Sequence, residues 1–296
     1  MKKKGELWNY HMMMLPASVM LFIFHVIPIF GIIIAFQNFI PGVPIWNQQW
    51  VGLDNFIYMF QLPNSSQVFI NTLSIAILKI VFGTIAAILF ALLLNEVRLL
   101  KFKRWTQTLI YLPHFMSWVI LSGILIDMLS LDGIVNQVVQ LFGGKPIMFL
   151  ASNHWFRTVV VGSNVWKEFG FGTIVYLAAL TGINPSLYES ASMDGAARWQ
   201  QLISITIPGI APTIVLMATL DLGHILNAGF DQIFNLYNPL VYTTGDIIDT
   251  YVYRIGLVQM QFGLATAVGL LKSVVAIIMI FISYRLAYKL ANYRIF

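Results

Sequence analysis

No cysteine occurs in the 296 residues of this chain. Disulfides and thiolate metal centres are therefore excluded, although the absence says little about compartment, since a chain embedded in lipid needs neither. Charge is almost as scarce: Asp, Glu, Lys and Arg make up 10% of the sequence, against 58% apolar residues. A soluble domain of this length needs far more polar surface, so the balance places the chain among integral membrane proteins. Ten-residue strand-like alternation is missing, which argues against a β-barrel. The Walker glycine–lysine loop is also missing, so the usual phosphate cradle for ATP is not encoded. No H-E-x-x-H or other clustered metal-ligand pattern occurs, and no G-x-S-x-G elbow supports nucleophilic catalysis. Energy for any work this chain does must come from a partner or from an ion gradient.

What is abundant is hydrocarbon. A helix spans a bilayer with about 20 apolar residues, and six stretches qualify, near 12–36, 68–94, 106–130, 157–182, 203–229 and 262–288. Residues 1–11 read as a basic tail anchoring on lipid headgroups, and 291–296 as a second tail. Met1-Lys2-Lys3-Lys4 before an apolar run resembles a signal peptide, but the run is too long and has no small-residue cleavage site, so it reads as an uncleaved first helix. With the N-terminus cytoplasmic, the inside segments hold Lys2, Lys3, Lys4, Arg98, Lys101, Lys103, Arg104, Arg198, Arg285, Lys289 and Arg294. The outside segments then hold only Lys145, Arg157 and Arg254. That imbalance sets both termini inside.

One polar interruption has helical character: Tyr188 to Pro212, with its approach from Asn184. Asn184 suits an N-cap, Pro185 the first helical position, and Gly195 the left-handed turn that ends a helix. A second helical run starts at Ala196 and is disturbed at Pro208 and Pro212. By the charge count this short helix faces the cytoplasm, a protrusion a soluble partner could grip.

Here the chain resembles the permease subunits of binding-protein-dependent ABC importers, whose cytoplasmic loop carries E-A-A, three residues, G, nine residues, I-x-L-P. Glu189-Ser190-Ala191 stands for the triplet, Gly195 for the glycine, and Ile205-Thr206-Ile207-Pro208 for the tail. Ser190 and Ile207 are mild departures. The resemblance implies an all-α integral membrane protein with the six-helix type I importer permease fold, occupying 12–290, and a coupling helix at about 184–195. It implies that Glu189, Ser190, Ala191, Asp194, Gly195 and Arg198 sit in a cleft of a cytoplasmic ATPase. The implied assembly has a second permease subunit, two ATPase subunits and an extracytoplasmic binding lipoprotein in a bacterial cell membrane. ATP and Mg would be bound by the ATPase; no cofactor, metal or catalytic residue is expected in this chain.

Further strings narrow the resemblance. Tyr111 to Trp118 (YLPHFMSW), Trp166 to Phe171 (WKEFGF), Tyr251 to Arg254 (YVYR) and the segment Val51 to Phe56 (VGLDNF) are similar to the permeases that import polysaccharide fragments such as alginate and pectin-derived oligosaccharides. Charges inside a span are expensive and normally face a cavity or a partner. Candidates for a substrate path are therefore Asp127, Lys167, Glu168, Asp221 and Lys272, joined by Trp118, Trp166, Tyr176 and Asn227 as flat or hydrogen-bonding faces for sugar rings. The same acids can equally pair with lysines to hold the bundle together. Gly170 and Gly172 allow close helix approach or local unwinding. His25 is the lone ionisable group inside the first span, and reads as a packed group. The loop 37–67 is rich in aromatics, fitting an interfacial belt or a docking surface for a binding protein. A helix is expected near 247–259 in the last outside loop. A different class remains open, an ion-coupled secondary transporter with Asp127, Glu168 or Asp221 carrying the ion; it requires an inverted repeat with matching interrupted helices.

Overall fold

A computed structural model describes residues 2–62 and 64–291. Met1 and the expected tail from 292 onward, Arg294 included, lie outside the described residues, as do the side chains of Lys2, Lys3, Lys4 and Lys289. The described chain divides into two compact units, residues 1–65 with 251–272, and 66–250 with 273–296.

In the first unit, helix α1 (Lys2–Leu21) begins within the expected N-terminal tail 1–11, and the apolar stretch long enough to cross a membrane starts at Trp8. It continues through a π turn (Phe22–Val26), a short α piece and a 3₁₀ run (Phe30–Phe36). The π turn lies just before Pro28, whose ring nitrogen cannot complete the i→i−4 ladder. The expected loop 37–67 is a built structure. Strands β1 (Gln37–Asn38) and β2 (Gln49–Trp50) pair antiparallel. The Gln48 side chain ties the crossing between them, accepting from Ile40 N and donating to the Ile40 and Val43 carbonyls at 2.8–2.9 Å. Helix α2 (Asp54–Gln61) follows, and Asn55 Nδ2 donates to the Ala35 and Gln37 carbonyls at 2.9 and 3.1 Å.

The second unit is a helical bundle. Helix α3 (Ser65–Glu96) is long and apolar. The third expected span is not one helix: α4 (Leu100–Tyr111) passes into a 3₁₀ turn (Leu112–Phe115), breaks at Met116–Ser117, and restarts as α5 (Trp118–Leu129), capped by Ser117. Pro113 has no N–H with which to continue the i→i−4 ladder, and the helix tightens to 3₁₀ there before Met116 turns extended. Helix α6 (Ile134–Leu141) precedes α7 (Phe156–Thr181), which runs 26 residues without unwinding at Gly170 and Gly172, so of the two readings of these glycines close approach applies. A Cβ on Gly170 would fall inside the Ile110 carbonyl oxygen and 2.7 Å from the carbonyl carbon, and one on Gly172 would lie 3.1 Å from the Ala87 Cβ.

Helix α8 (Pro185–Met193) and the single turn α9 (Arg198–Gln201) lead through a π turn (Leu202–Thr206) into α10 (Ile207–Gly223). The π turn again comes just before a proline, Pro208. Helix α10 ends at Gly223, short of the expected 229. The chain then re-enters through α11 (Phe230–Leu236) and α12 (Ile248–Tyr253), which continues as a π turn (Arg254–Val258). The segment expected as an outside loop is instead deeply packed, with Ile233, Val241, Ile247, Ile248 and Thr250 fully buried. Asn71 on α3 donates to the Thr243 and Asp246 carbonyls, and Thr72 Oγ1 accepts from Ile248 N. Helix α13 is Phe262–Ala291; its residues up to 272, like the π turn before it, are counted in the first unit.

Among the described residues, five segments are long and apolar enough to cross a membrane: Trp8–Phe36, Ser65–Glu96, Trp118–Leu141, Arg198–Gly223 and Phe262–Arg285. Helix α7 has the length but not the apolarity, because Asn164, Lys167 and Glu168 interrupt it. The core of the second unit joins α3, α7 and α10 through Ala87, Ala91, Tyr176, Leu180 and Ile210.

Candidate functional site

Two places on the second unit hold the residues singled out from the sequence. The first is the α8–α9 protrusion. Asn184 Oδ1 accepts from Ser186 N at 3.0 Å, Pro185 opens α8, and Gly195 takes φ 78° to close it. The protrusion is fastened to the foot of α10. Tyr188 Oη meets Thr206 Oγ1 at 2.9 Å, while Gln201 Nε2 donates to Ser192 Oγ and the Ala196 carbonyl. Gln200 Oε1 accepts from Ala197 N at 2.7 Å. These ties make the protrusion and the start of α10 one rigid piece. Glu189, Ser190, Asp194, Gly195 and Arg198 are exposed and Ala191 is half-buried. Arg198 does not pair with Asp194, four residues before it; its guanidinium lies 3.3 Å from Glu96 at the end of α3. Gly195 breaks the helix between the two, so the i,i+4 geometry never forms. The sequence reading missed the apolar members of this surface: Met193 is 89% exposed and Trp199 68%, beside Leu187. Large apolar groups so open on a fastened protrusion mark an interaction surface, and their signal was present as apolar letters within a polar stretch.

The second place is a cavity of about 340 Å³ enclosed by α3, α7, the end of α10 and the following loop. Of the expected path residues, Glu168, Tyr176, Asp221 and Asn227 line it. Lys79, Asn164, Phe171 and His224 line it too and were not among those candidates. Lys79 Nζ donates to the Ala228 carbonyl at 2.6 Å and to Gln232 Oε1 at 2.5 Å. Gln232 in turn donates to the Val160 carbonyl and Ser163 Oγ, both at 2.8 Å. Lys79 is thus a fastening for the start of α11, which the left-handed Gly229 (φ 97°) brings within reach.

The remaining candidates are placed differently. Lys167 is buried and does not line the cavity; its ammonium donates to the His114 carbonyl at 2.8 Å, reaches Glu168 Oε1 at 3.1 Å and lies 5.7 Å from the Trp118 ring centre. Glu168 Oε2 meets His114 Nδ1 at 2.7 Å, and the His114 ring stacks on Phe171 with centroids 4.4 Å apart. Trp118, Lys167, Glu168, His114 and Phe171 therefore form one cluster at the break between α4 and α5, with Glu168 shared between cluster and cavity. His114 went unnoticed because nothing in its sequence neighbourhood announces a partner 54 residues away. Trp166 is 47% exposed and Asp127 is exposed on α5, and neither lines the cavity. Lys272 belongs to the other compact unit. Among the described residues, no group of three His, Asp or Glu side chains is arranged to hold a metal ion.

Chemically, the cavity offers cationic, carboxylate, amide and imidazole groups beside the faces of Phe171 and Tyr176. Hydroxyl-rich rings with apolar CH faces match that mixture of a few polar groups on an apolar wall.

Comparison with known proteins adds an independent line. Residues 80–292 match the family described as the binding-protein-dependent transport system inner membrane component. The chain is 42% identical, over 97% of its length and 89% of the relative's, to the polygalacturonan/rhamnogalacturonan transport system permease protein YteP of Bacillus subtilis. It is 30% identical, over 62% of each, to the lactose transport system permease protein LacF of Rhizobium radiobacter. Among solved structures, it superposes with a TM-score of 0.90 and 40% identity, covering 98% of both chains, on a chain of a bacterial ABC transporter involved in the import of the acidic polysaccharide alginate. A second crystal structure, of a bacterial alginate ABC transporter in complex with a periplasmic protein bound to alginate pentasaccharide, gives 0.89 at 39% identity.

Proposed function

The chain belongs to the family of binding-protein-dependent transport system inner membrane components, and on that premise we propose that it is a multi-pass permease subunit of an ATP-driven ABC importer that moves oligosaccharides released from polysaccharides. Relatives that carry polygalacturonan, rhamnogalacturonan and alginate support the substrate class. The observation that carries the mechanism is the fastened protrusion: α8 is capped, exposed, and tied by Tyr188 and Gln201 to the base of α10. A force applied to Glu189, Met193 or Trp199 is transmitted to α10 rather than absorbed in a loop. Two cytoplasmic ATPases, binding ATP and Mg themselves, grip this surface and its counterpart on a second permease subunit. Their closure turns the helix pairs from inward- to outward-facing, an exchange between two packed states. With both termini cytoplasmic, the opposite face receives sugar from an extracytoplasmic binding lipoprotein, for which the exposed aromatics Trp46, Trp50 and Phe60 of the first unit form a docking surface. The cavity lined by Glu168, Tyr176 and Asp221 lies on the sugar's route. This chain is a non-catalytic partner in that cycle.

Ion-coupled transport finds no support: it requires matching interrupted helices in two repeats, and α7, the glycine-bearing candidate, is unbroken.

The test uses Gly195→Pro and Glu189→Lys in the intact transporter. Proline cannot adopt the positive φ at position 195, and Glu189→Lys reverses a charge on the gripped face. Both variants should insert normally while copurifying ATPase falls and uptake of the sugar is lost. Normal uptake by both would remove α8 from the coupling path.

A further inference from the structure

Next to the proposed sugar route, with Val165 shared between the two, a second and larger recess of about 640 Å³ opens between α3 and α7. Its walls are hydrocarbon: Leu78 and Phe82 from α3, Val161 and Val165 from α7. Between the two valines stands Gly162, around which a Cβ would meet nothing within 4 Å, so the missing side chain is what leaves the recess open. At one end the character changes to polar, with Arg157 and His154. Arg157 Nη2 donates to Asn71 Oδ1 at 3.0 Å and approaches the Thr244 carbonyl at 3.5 Å, while its Nε is shielded from solvent and has no partner. A guanidinium offers five donors, and these contacts engage Nη2 alone, so a ligand would be met by the terminal nitrogens and not by the enclosed Nε.

We propose that this recess binds one anionic phospholipid, its phosphate on Arg157 and His154 and an acyl chain in the groove over Gly162. The depths agree. At 1.5 Å per residue, Val161 and Val165 lie about 6 and 12 Å further along the helix than Arg157, so a headgroup at Arg157 places the upper acyl carbons against the valines. Below the recess, Phe82, Ile85, Leu89 and Leu93 project from α3 at 48–64% exposure with spacings of three and four, one continuous apolar face along which the chain can run. A sugar finds little along the groove, because the hydrogen-bonding groups Asn153, His154, Arg157, Thr158 and Thr244 belong to the polar end and the remaining walls are apolar. Charge complementarity selects an anionic over a zwitterionic headgroup, and the length of the apolar face selects a lipid over free phosphate. The inference requires only that the chain is embedded in a membrane and does not depend on what it transports.

The assembled transporter, delipidated in detergent, would be titrated with phosphatidylglycerol, phosphatidylcholine or inorganic phosphate and followed by native mass spectrometry. Both lipids present a phosphodiester to Arg157, but phosphatidylcholine adds a quaternary ammonium that the guanidinium repels, and one such charge implies a preference for phosphatidylglycerol of roughly tenfold. Arg157→Gln should abolish that preference. Because Arg157 also holds Asn71, the Gly162→Leu variant provides an independent arm: its Cβ meets nothing within 4 Å, and the side chain extends into the groove and should weaken both lipids. Equal binding of the two lipids by the unaltered transporter, undiminished phosphatidylglycerol binding by Gly162→Leu, or displacement of the lipid by inorganic phosphate would each overturn the proposal. So would a recess closed to lipid by the second permease subunit, which would show as no retained phosphatidylglycerol in the assembly and binding only after its dissociation.

Discussion

Replacing Gly170 by alanine separates two effects that a glycine in a membrane helix combines. In an unobstructed helix, alanine is preferred over glycine by about 1 kcal/mol. At Gly170 the added methyl meets the backbone of Ile110, with the carbonyl carbon 2.7 Å away and Tyr111 N at 3.3 Å. Backbone atoms cannot rotate aside as a side chain does, so α7 and α4 must separate. Overpacking of this kind costs about 1–3 kcal/mol, and the upper end applies where the obstacle is rigid, leaving a net loss of about 2 kcal/mol after the propensity gain. Gly162 lies on the same helix with nothing within 4 Å of its Cβ, so Gly162→Ala should be neutral or stabilising by up to about 1 kcal/mol. The two variants should then differ by about 2–3 kcal/mol, a factor of roughly 30–150 in the unfolding equilibrium. The separation also pulls the 3₁₀ turn carrying His114 away from Lys167 and Glu168, whose contacts with it are 2.8 and 2.7 Å. Unfolding free energies from denaturant titration in micelles, with uptake measured in vesicles, provide the comparison. Equal stability of Gly170→Ala and Gly162→Ala would refute the claim that close helix approach, and not flexibility, is why residue 170 is glycine.

Two further outcomes follow from the hydrogen bonding. Lys79→Met strands the Ala228 carbonyl and Gln232 Oε1 without their donor, at about 1–3 kcal/mol each; amide exchange should accelerate in α11 and remain unchanged in α8, and unaltered exchange in α11 would dismiss Lys79 as its fastening. In the first unit, Asn55→Leu removes both bonds that tie α2 to the Ala35 and Gln37 carbonyls, so limited proteolysis should cut faster between β1 and β2, and an unchanged cleavage rate would show that the Gln48 ties suffice alone.

Local signals were legible wherever a residue acts on its own backbone. Asn184, Pro185 and Gly195 announce the beginning and end of α8 because capping and positive φ are decided by neighbours one to three positions away. A helix at 248–253 with its π continuation was anticipated only from the length of the segment between spans. The break at Met116–Ser117 was missed although Pro113 stands in the sequence, since the apolar letters on both sides hide the change of direction. Gly170 was recognised as special, but the choice between unwinding and close approach depends on whether a neighbouring backbone stands opposite, which spacing cannot say.

Composition alone determined the membrane setting and the scarcity of interior charge, because hydrocarbon tolerates few ionised groups and needs runs of apolar residues to cross it. Tertiary structure alone decided what those few charges do. Lys79 fastens α11 across 149 residues, Lys167 turns to the His114 carbonyl, and Glu168 divides itself between that cluster and the cavity. Asp127, equally costly on paper, faces outward on α5. A charge reports in sequence only that it must be satisfied. Which donor or carbonyl satisfies it depends on helices brought together by packing, and the rotation of each helix about its axis, shifted here by π turns before Pro28 and Pro208, is not written in the order of residues.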